Sequence, residues 1–289
     1  MTLSAQPIPM ARETGRDDGI RSLSAKSVRR RPQPRPGRPP HLFDRWHEVE
    51  GRLRAAQRLA LFLDFDGTLA PIRRRPGEVW LGRSTRAALD RLLRHGRSDL
   101  WIISGRRLAD LQRRVGVDGA HYLGLFGWEE SDSASLSVPA TQLMLWAGRV
   151  LKEFLASLDG VWIEEKGAAI AIHYRGAPRH AVRLAHGRVE GFLETFEPGL
   201  RMVWGKKVWE LLPREVRGKG ESLRRFIAKQ APGTLTVYAG DDTEDEDAFR
   251  ALPNAITVRV GSRAQTAAGF RLDNPKQVRE FLERLERAL

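Results

Sequence analysis

The chain has 289 residues, of which 41% are hydrophobic, and it carries a net charge of +13 with no cysteine. This length predicts one large domain or two smaller ones. The lack of cysteine excludes disulfides and thiolate metal ligands, and no stretch reaches the roughly 18–20 apolar residues of a membrane span. The N-terminus shows no apolar signal-peptide core, so we expect a cytoplasmic protein.

Residues 1–41 are predicted to form a disordered, basic tail rich in proline and arginine. Seven of the 16 prolines lie within residues 1–40. Ten Lys or Arg against four Asp or Glu in residues 1–45 account for +6 of the net charge. So few apolar residues cannot offset the entropy of ordering, which favours a solvated tail. An arm for anionic partners is the alternative, and it leads to a second hypothesis, a nucleic-acid-binding protein.

From Leu42 onward, helices and strands alternate along the chain. The patterns predict helices over 42–58, 84–95 and 107–115, and strands over 59–65, 99–103 and near 122–126. Ser84 is expected to be the N-cap of its helix. This order of elements predicts a parallel sheet.

The middle of the chain shows a different pattern, in which strands follow one another in pairs. The predicted helices span 140–158 and 178–196, and the strands span 161–165, 169–174, 201–204 and 208–212. Paired strands joined at Trp204-Gly205-Lys206-Lys207 suggest a hairpin, and so a small α+β module inserted into the sheet domain. The earlier alternation then returns, with helices over 218–230, 243–252 and 275–288 and strands over 235–239 and 255–260.

Two carboxylates mark the end of the first predicted strand. Asp64 closes an apolar run, and Asp66, Gly67 and Thr68 follow it. Open α/β sheets bind ligands at the carboxyl ends of their strands. The segment therefore predicts a cation site and a nucleophile at one strand end.

Two short segments could complement these carboxylates. Ser104-Gly105-Arg106 follows the next strand, where a hydroxyl and free N–H groups suit an anionic oxygen, although an N-cap and turn would show the same pattern. Lys219 stands between two glycines ahead of a helix. It could neutralise a phosphoryl group or the attacking carboxylate, whereas a solvated surface lysine is the alternative.

An acidic segment, residues 240–247, follows a later strand. Acidic residues at a helix N-terminus gain about 0.3–1 kcal/mol each from the helix dipole, which does not explain two aspartates, Asp241 and Asp242, at a strand end. Placing Asp241 beside Asp64 and Asp66 is costly, since two unit charges about 4 Å apart repel by about 4 kcal/mol at an effective dielectric of about 20. A hard divalent ion resolves this repulsion, and oxygen ligands suit Mg²⁺.

Taken together and in this order, the motifs resemble the haloacid dehalogenase superfamily of phosphatases over about residues 58–275. The closer resemblance is to the trehalose-6-phosphate phosphatase family. It rests on residues 64–72 with Pro76, on 104–106, on 240–249, and on the segments 127–129, 166–167, 173–175 and 210–213.

The resemblance implies an α/β fold: a Rossmann-like parallel-sheet core of the haloacid dehalogenase type with an inserted α+β cap domain. We accordingly assign the chain, beyond the tail of residues 1–41, to a first part of the core (42–130), the cap (131–212) and a second part of the core (213–289).

The resemblance also implies the chemistry, a Mg²⁺-dependent hydrolysis of trehalose 6-phosphate through an aspartyl-phosphate. Asp64 would be the nucleophile, Asp66 the general acid and base, and Lys219 a catalytic phosphate ligand. Mg²⁺ would be held by the Asp64 carboxylate, the Asp66 carbonyl and Asp241. The implied substrate-binding residues are Gly67, Thr68, Ser104, Gly105, Arg106, Glu129, Lys166 and Glu210. Asp242 and Asp245 would orient Lys219 and metal-bound water.

Three positions depart from the family pattern. The family usually has His, Arg and Thr where Phe126, Leu212 and Glu244 stand. The nucleophile, the acid/base and the metal ligands are retained, but Phe126 and Leu212 border the sugar-contacting segments. Another glycosyl phosphate, such as a glucosyl-glycerate phosphate, is therefore the alternative substrate. The expected partner is a small sugar phosphate, with no membrane and no nucleic acid.

Overall fold

A computed structural model describes residues 38–130, 136–196, 199–262 and 265–289. Residues 1–37 of the predicted tail and residues 131–135 at the predicted start of the cap lie outside the described residues. Within the described ranges, no helix combines the length and the apolar character needed to cross a membrane.

Within the described residues, ten strands form two separate sheets. In chain order they are β1 (Arg58–Asp64), β2 (Ser98–Ile103), β3 (His121–Leu123), β4 (Trp162–Glu165), β5 (Ile170–His173), β6 (Leu200–Gly205), β7 (Val208–Pro213), β8 (Thr234–Gly240), β9 (Ile256–Val260) and β10 (Phe270–Leu272). The larger sheet is parallel and has the order β10-β9-β8-β1-β2-β3. The smaller one is antiparallel and has the order β4-β5-β7-β6.

In the part of the chain that the structure describes, eight α-helices accompany these sheets. They are α1 (Trp46–Ala55), α2 (Arg83–Arg94), α3 (Leu108–Val115), α4 (Val138–Leu155), α5 (Arg179–Phe196), α6 (Lys219–Ile227), α7 (Thr243–Ala251) and α8 (Pro275–Ala288). Short 3-10 helices lie at Leu42–Arg45, Pro76–Glu78 and Leu125–Gly127.

The central strand β1 is buried on both faces, and its side chains alternate between two cores. Leu59, Leu61 and Leu63 pack into a core shared with α1, α2, α3 and α8. Ala60 and Phe62 point the other way, into a core shared with α6 and α7. This period of two, with helices on both faces, explains why the strand reads as a continuous apolar run.

The smaller sheet has its own core, built with α4 and α5. It contains Met144 and Leu151 from α4, Val189 and Phe192 from α5, and Trp209 from β7. The predicted fold class, a parallel core with a second α+β unit, is confirmed. We retain the cap boundaries, 131–212, as a proposal; the four strands of the smaller sheet span residues 162–213.

Several predicted elements differ in detail. The helix expected over 42–58 begins as a 3-10 turn and ends at Ala55, because β1 already starts at Arg58. Ser84 is not an N-cap: α2 starts at Arg83, and Gly82 occupies the cap position. The third strand ends at Leu123, and Phe126 adopts a left-handed φ of 62°. Strand β10 was not predicted, since three residues are too short for a periodic signal.

Candidate active site

The carboxyl ends of β1, β2 and β8 meet at one edge of the parallel sheet. Asp64 pairs in register with Ile103 of β2, and Leu63 pairs with Ala239 of β8. This register brings Asp64, Ser104 and Asp241 to the same edge. All three line a cavity of about 410 Å³, which lies within the range of about 300–1,000 Å³ typical of small-molecule sites.

A buried lysine connects two of the carboxylates. Lys219 Nζ donates to Asp64 Oδ1 at 2.6 Å and to Asp245 Oδ1 at 2.7 Å. The same Asp245 oxygen accepts from the Tyr238 hydroxyl at 2.6 Å. Gly220 lets α6 approach α7, because a Cβ there would lie 2.7 Å from the carbonyl oxygen of Asp247. The predicted contact between Asp245 and Lys219 is thus present, and Lys219 is not a solvated surface lysine.

The electrostatics of this cluster follow from burial and crowding. Burial raises the pKa of Asp64 well above its ordinary value; Lys219 opposes this, and Asp245 and Asp241 add to it. Burial also raises the pKa of Asp241 to about 6. Although burial opposes it, the carboxylates of Asp245 and Asp64 hold the pKa of Lys219 well above its ordinary value. The site therefore holds more negative charge than one lysine can balance.

The donor set fits a hard divalent cation. Oxygens of Asp64, Asp241 and Asp245 lie within 4.8 Å of one another. Asp64 Oδ2 is buried and accepts no hydrogen bond from the described residues. Both oxygens of Asp245 already accept bonds, from Lys219 and Tyr238 on one side and from the Asp242 amide on the other. Asp64 and Asp241 are thus the carboxylates of this cluster best placed to hold a metal ion, and the predicted ligand set stays a prediction.

Asp66 lies at the cavity in a fork of hydrogen bonds from Arg106. The Arg106 Nε donates to Asp66 Oδ2, and Nη2 donates to Asp66 Oδ1, both at 2.7 Å. Arg106 also donates to Asp110 Oδ2 at 2.8 Å and to the Pro76 carbonyl at 2.8 Å. Arg106, predicted to bind substrate, is therefore engaged with Asp66 in this structure.

The small polar residues predicted at the site occupy different positions. Ser104 and Gly105 line the cavity, and Ser104 Oγ accepts from the Arg106 amide at 3.2 Å. Gly67 has a φ of 92° and lies against Asp241. Thr68 is fully buried, lies outside the cavity lining, and its Oγ1 has no hydrogen-bond partner among the described residues.

On the cap side, the structure brings two of the three predicted sugar-binding residues to the cavity. Lys166 and Glu210 form a short ion pair, and Lys166 Nζ also lies 3.5 Å from the Gly105 carbonyl oxygen of the core. Glu129 lies outside the lining, where its Oε2 accepts from the Leu108 amide at the start of α3 at 2.6 Å. Its role in sugar binding remains a prediction.

Sequence reasoning missed Lys206, which lies in the β6–β7 turn. Its ammonium pairs with Asp241, and its amide donates to Asp242 Oδ2 at 3.2 Å. Asp242 caps α7 by accepting from the Thr243 amide at 2.7 Å, whereas Lys219 donates to Asp64 and Asp245 and not to Asp242. The only available signal was a pair of lysines in a predicted hairpin turn, which does not indicate what the turn contacts.

The trehalose-phosphatase family model matches residues 62–276, a span that contains the carboxylate cluster and both sheets. The chain belongs to the trehalose-phosphatase family. It is 36% identical to the trehalose-phosphate phosphatase of Mycobacterium tuberculosis and 38% identical to that of Mycobacterium avium. These matches cover 81% and 80% of this chain and 63% of each relative, so the chain spans less than two thirds of their length.

Solved structures of the same family share the fold. The C-terminal domain of Candida albicans trehalose-6-phosphate phosphatase superimposes with a TM-score of 0.75 at 25% identity, over 88% of this chain and 99% of that domain. The match spans most of the chain, so it extends to the smaller antiparallel sheet as well as to the parallel-sheet core.

The three departures from the family pattern have different structural settings. Phe126 and Leu212 belong to one buried apolar cluster together with Val203, so two positions that are usually polar have become apolar together. Glu244 lines the cavity near Gly218 and Arg201. Burial raises the pKa of Glu244 to about 7 against the opposing effects of Arg201 and Lys219.

We expect Gly67→Ala to disrupt the carboxylate cluster. A Cβ at this position would lie 2.0 Å from Asp241 Oδ2, and the φ of 92° disfavours any side chain. The free energy of unfolding, measured by urea titration, should fall by about 1–3 kcal/mol. Gly77→Ala is the control, since a Cβ there meets nothing within 4 Å. Equal effects of the two substitutions would contradict the proposed crowding.

Replacing Lys206 should strengthen cation binding. Its ammonium pairs with Asp241 Oδ2 and so competes with a metal ion for that carboxylate. In Lys206→Met we expect Mg²⁺ affinity, measured by calorimetric titration, to rise about two- to fivefold, the scale of a partly exposed ion pair. Lys207→Met is the matched control, because Lys207 lies 6.0 Å from the Tyr174 ring centroid instead. Unchanged affinity in Lys206→Met would rule out this competition.

Glu244 should make stability depend on pH. Because its folded pKa is raised to about 7, its favourable contribution is complete below its unfolded pKa of about 4.5 and is lost as pH rises through 7. Glu244→Gln should match the wild type near pH 4.5 and exceed its unfolding free energy by about 1–3 kcal/mol above pH 7. Chemical denaturation across pH 4.5–8.5 tests this, with the exposed Glu221→Gln as control. A pH-independent difference would contradict it.

Proposed function

We propose that the protein is a phosphoric monoester hydrolase that converts trehalose 6-phosphate into trehalose and inorganic phosphate. The observation that carries the proposal is one cavity with two chemically distinct walls. Its core wall holds Asp64 bonded to Lys219, and its cap wall holds Lys166 paired with Glu210. Membership of the trehalose-phosphatase family and the names of the mycobacterial relatives support the choice of sugar.

In the first step, a carboxylate oxygen of Asp64 attacks phosphorus, and the bond from phosphorus to the sugar oxygen breaks. Asp66 donates a proton to that leaving oxygen, so trehalose departs as a neutral alcohol and Asp64 carries the phosphoryl group. Lys219, already bonded to Asp64, lies where it can also contact phosphoryl oxygens.

In the second step, water attacks the phosphorus of the aspartyl-phosphate and the bond to Asp64 breaks. Asp66, now a carboxylate, accepts the proton of that water. Inorganic phosphate leaves, and both aspartates return to their starting states. When bound, Mg²⁺ would supply positive charge that offsets the crowded carboxylates and the phosphoryl oxygens; Asp64, Asp241 and the Asp66 carbonyl would hold it.

Acid catalysis requires Asp66 to change its hydrogen-bonding partner. Both of its oxygens accept from Arg106, and neither can deliver a proton while so held. We infer that Arg106 turns toward the phosphoryl oxygens when the sugar phosphate enters, which frees Asp66 to take up a proton from water and to donate it to the leaving oxygen. A guanidinium suits this exchange, because carboxylate and phosphate offer it similar pairs of oxygens.

A second candidate substrate is another glycosyl phosphate, such as a glucosyl-glycerate phosphate. The observation that favours it is the joint replacement of polar family residues by Phe126 and Leu212 in one apolar cluster beside the cavity. The phosphate-side chemistry would be the same for both substrates, because the roles proposed for Asp64, Asp66 and Lys219 involve only the phosphoryl group and the leaving oxygen, which both substrates share.

We expect Mg²⁺-dependent phosphate release from trehalose 6-phosphate, and loss of at least about a thousandfold in kcat for Asp64→Asn, since the amide cannot act as the nucleophile. Asp99→Asn is the matched control, because Asp99 is half-exposed on β2 and pairs with Arg58. A phosphate-release assay measures both. Wild-type turnover by Asp64→Asn would show that Asp64 is not the nucleophile.

The same assay shows which sugar phosphate is the preferred substrate. With trehalose 6-phosphate and a glucosyl-glycerate phosphate compared side by side, we expect the higher kcat/KM for trehalose 6-phosphate. A much higher kcat/KM for the other sugar phosphate would transfer the assignment to it while leaving the phosphatase chemistry intact.

A further inference from the structure

The cations inside the cavity are already paired before any substrate arrives. Lys219 binds Asp64 and Asp245, Lys166 binds Glu210, Arg106 binds Asp66 and Asp110, and Lys206 binds Asp241. A phosphate dianion entering the cavity must therefore displace a carboxylate from whichever of these cations it contacts. None of them offers an unpaired positive charge for the first encounter.

The remaining exposed cations that line the cavity, which we call the cations of the cavity mouth, differ from one another in their partners. Arg107 lies 3.6 Å from Glu129, Arg175 donates to the Lys206 carbonyl, and Lys207 lies over Tyr174. Arg73 and Arg74 also line the cavity and are exposed, yet neither has an ion pair or hydrogen bond with any residue in the described ranges.

The loop that carries these two arginines is anchored at both ends. At its start, the Gly67 amide donates to the Ala70 carbonyl at 2.7 Å. At its end, the Pro76 carbonyl accepts from Arg106 Nη2 at 2.8 Å. Arg106 is also the partner of Asp66, so the loop is tied directly to the residues that would meet the phosphoryl group. The loop that carries Arg73 and Arg74, both exposed and both part of the cavity lining, is thus fixed beside those residues.

We propose that Arg73 and Arg74 form an anion-capture site at the cavity mouth, which binds the phosphate of the incoming sugar phosphate before it reaches Lys219. The inference rests on the proposed phosphatase function and adds two residues to it. Two unpaired guanidinium groups at an entrance raise the local concentration of an anionic ligand, and this effect weakens as salt screens the charges.

The capture site should affect kcat/KM and leave kcat unchanged. For the double variant Arg73→Ala/Arg74→Ala we expect kcat/KM with trehalose 6-phosphate to fall about tenfold at low ionic strength, with kcat within about twofold of wild type. Its kcat/KM should also vary less with ionic strength than that of the wild type between about 20 and 300 mM KCl. Inhibition by trehalose, the neutral product, should be unchanged.

Arg75→Ala is the matched control. Arg75 is exposed in the same loop but does not line the cavity, so its kcat/KM and salt dependence should remain those of the wild type. An equal loss in Arg75→Ala would overturn the proposal in favour of a general charge effect. Wild-type kcat/KM and salt dependence in the double variant would also overturn it, as would a matching loss of kcat.

A direct binding measurement separates this inference from the proposed function. Calorimetric titration with inorganic phosphate should show about tenfold weaker binding to the double variant than to the wild type or Arg75→Ala, whether or not trehalose 6-phosphate is hydrolysed. Equal phosphate affinity of all three proteins would overturn the capture site while leaving the phosphatase assignment intact. If the wild type binds phosphate in this way but releases none from any sugar phosphate, the proposed function fails and the anion site stands.

Discussion

The ion pair between Lys219 and Asp64 is the contact on which the rest of the structure depends. It joins residues 155 positions apart, one before the cap and one after it, at the carboxyl ends of the parallel strands. Removing one partner of a buried pair commonly costs about 3–5 kcal/mol, because the other charge is left uncompensated. The ion pair therefore ties the first part of the core to the second at the edge of the sheet that lines the cavity.

A second set of alternating charges extends from this edge along α3. Asp66 pairs with Arg106, Arg106 with Asp110, and Asp110 with Arg114. Arg106 precedes α3, and Asp110 and Arg114 lie within it. The three residues are spaced at i, i+4 and i+8, so they follow one face of the helix. Arg114 then donates to the carbonyls of Gly77 and Val79. Through this series, one helix positions both Asp66, the proposed acid/base residue, and the loop that carries Arg73 and Arg74.

Much of the core site could be predicted from the sequence, because its determinants are local. Asp64 and Asp241 each follow an apolar run that can only be a buried strand, and parallel strands bring their carboxyl ends together. The contacts of Lys206, Glu129 and Glu244 could not be predicted in this way. They depend on how the cap turn reaches Asp241 and how the residues after β3 meet α3, and neither arrangement leaves a periodic signal in the chain.

The charges that line the cavity explain why ion pairs there would have to exchange partners during the proposed reaction. Nine acidic and nine basic side chains line it, so the lining is close to neutral as it stands. A divalent cation and a phosphate dianion entering together add no net charge, whereas either one alone leaves two charges unbalanced in a partly buried space. Two exchanges of ion-pair partners would keep that balance. Arg106 would leave Asp66 for the phosphate, and a metal ion would replace Lys206 at Asp241. Glu244 is one of these nine acidic residues, and it stands where the family usually has a neutral threonine. Because burial raises its pKa to about 7, protonation of Glu244 changes the net charge of the lining near neutral pH.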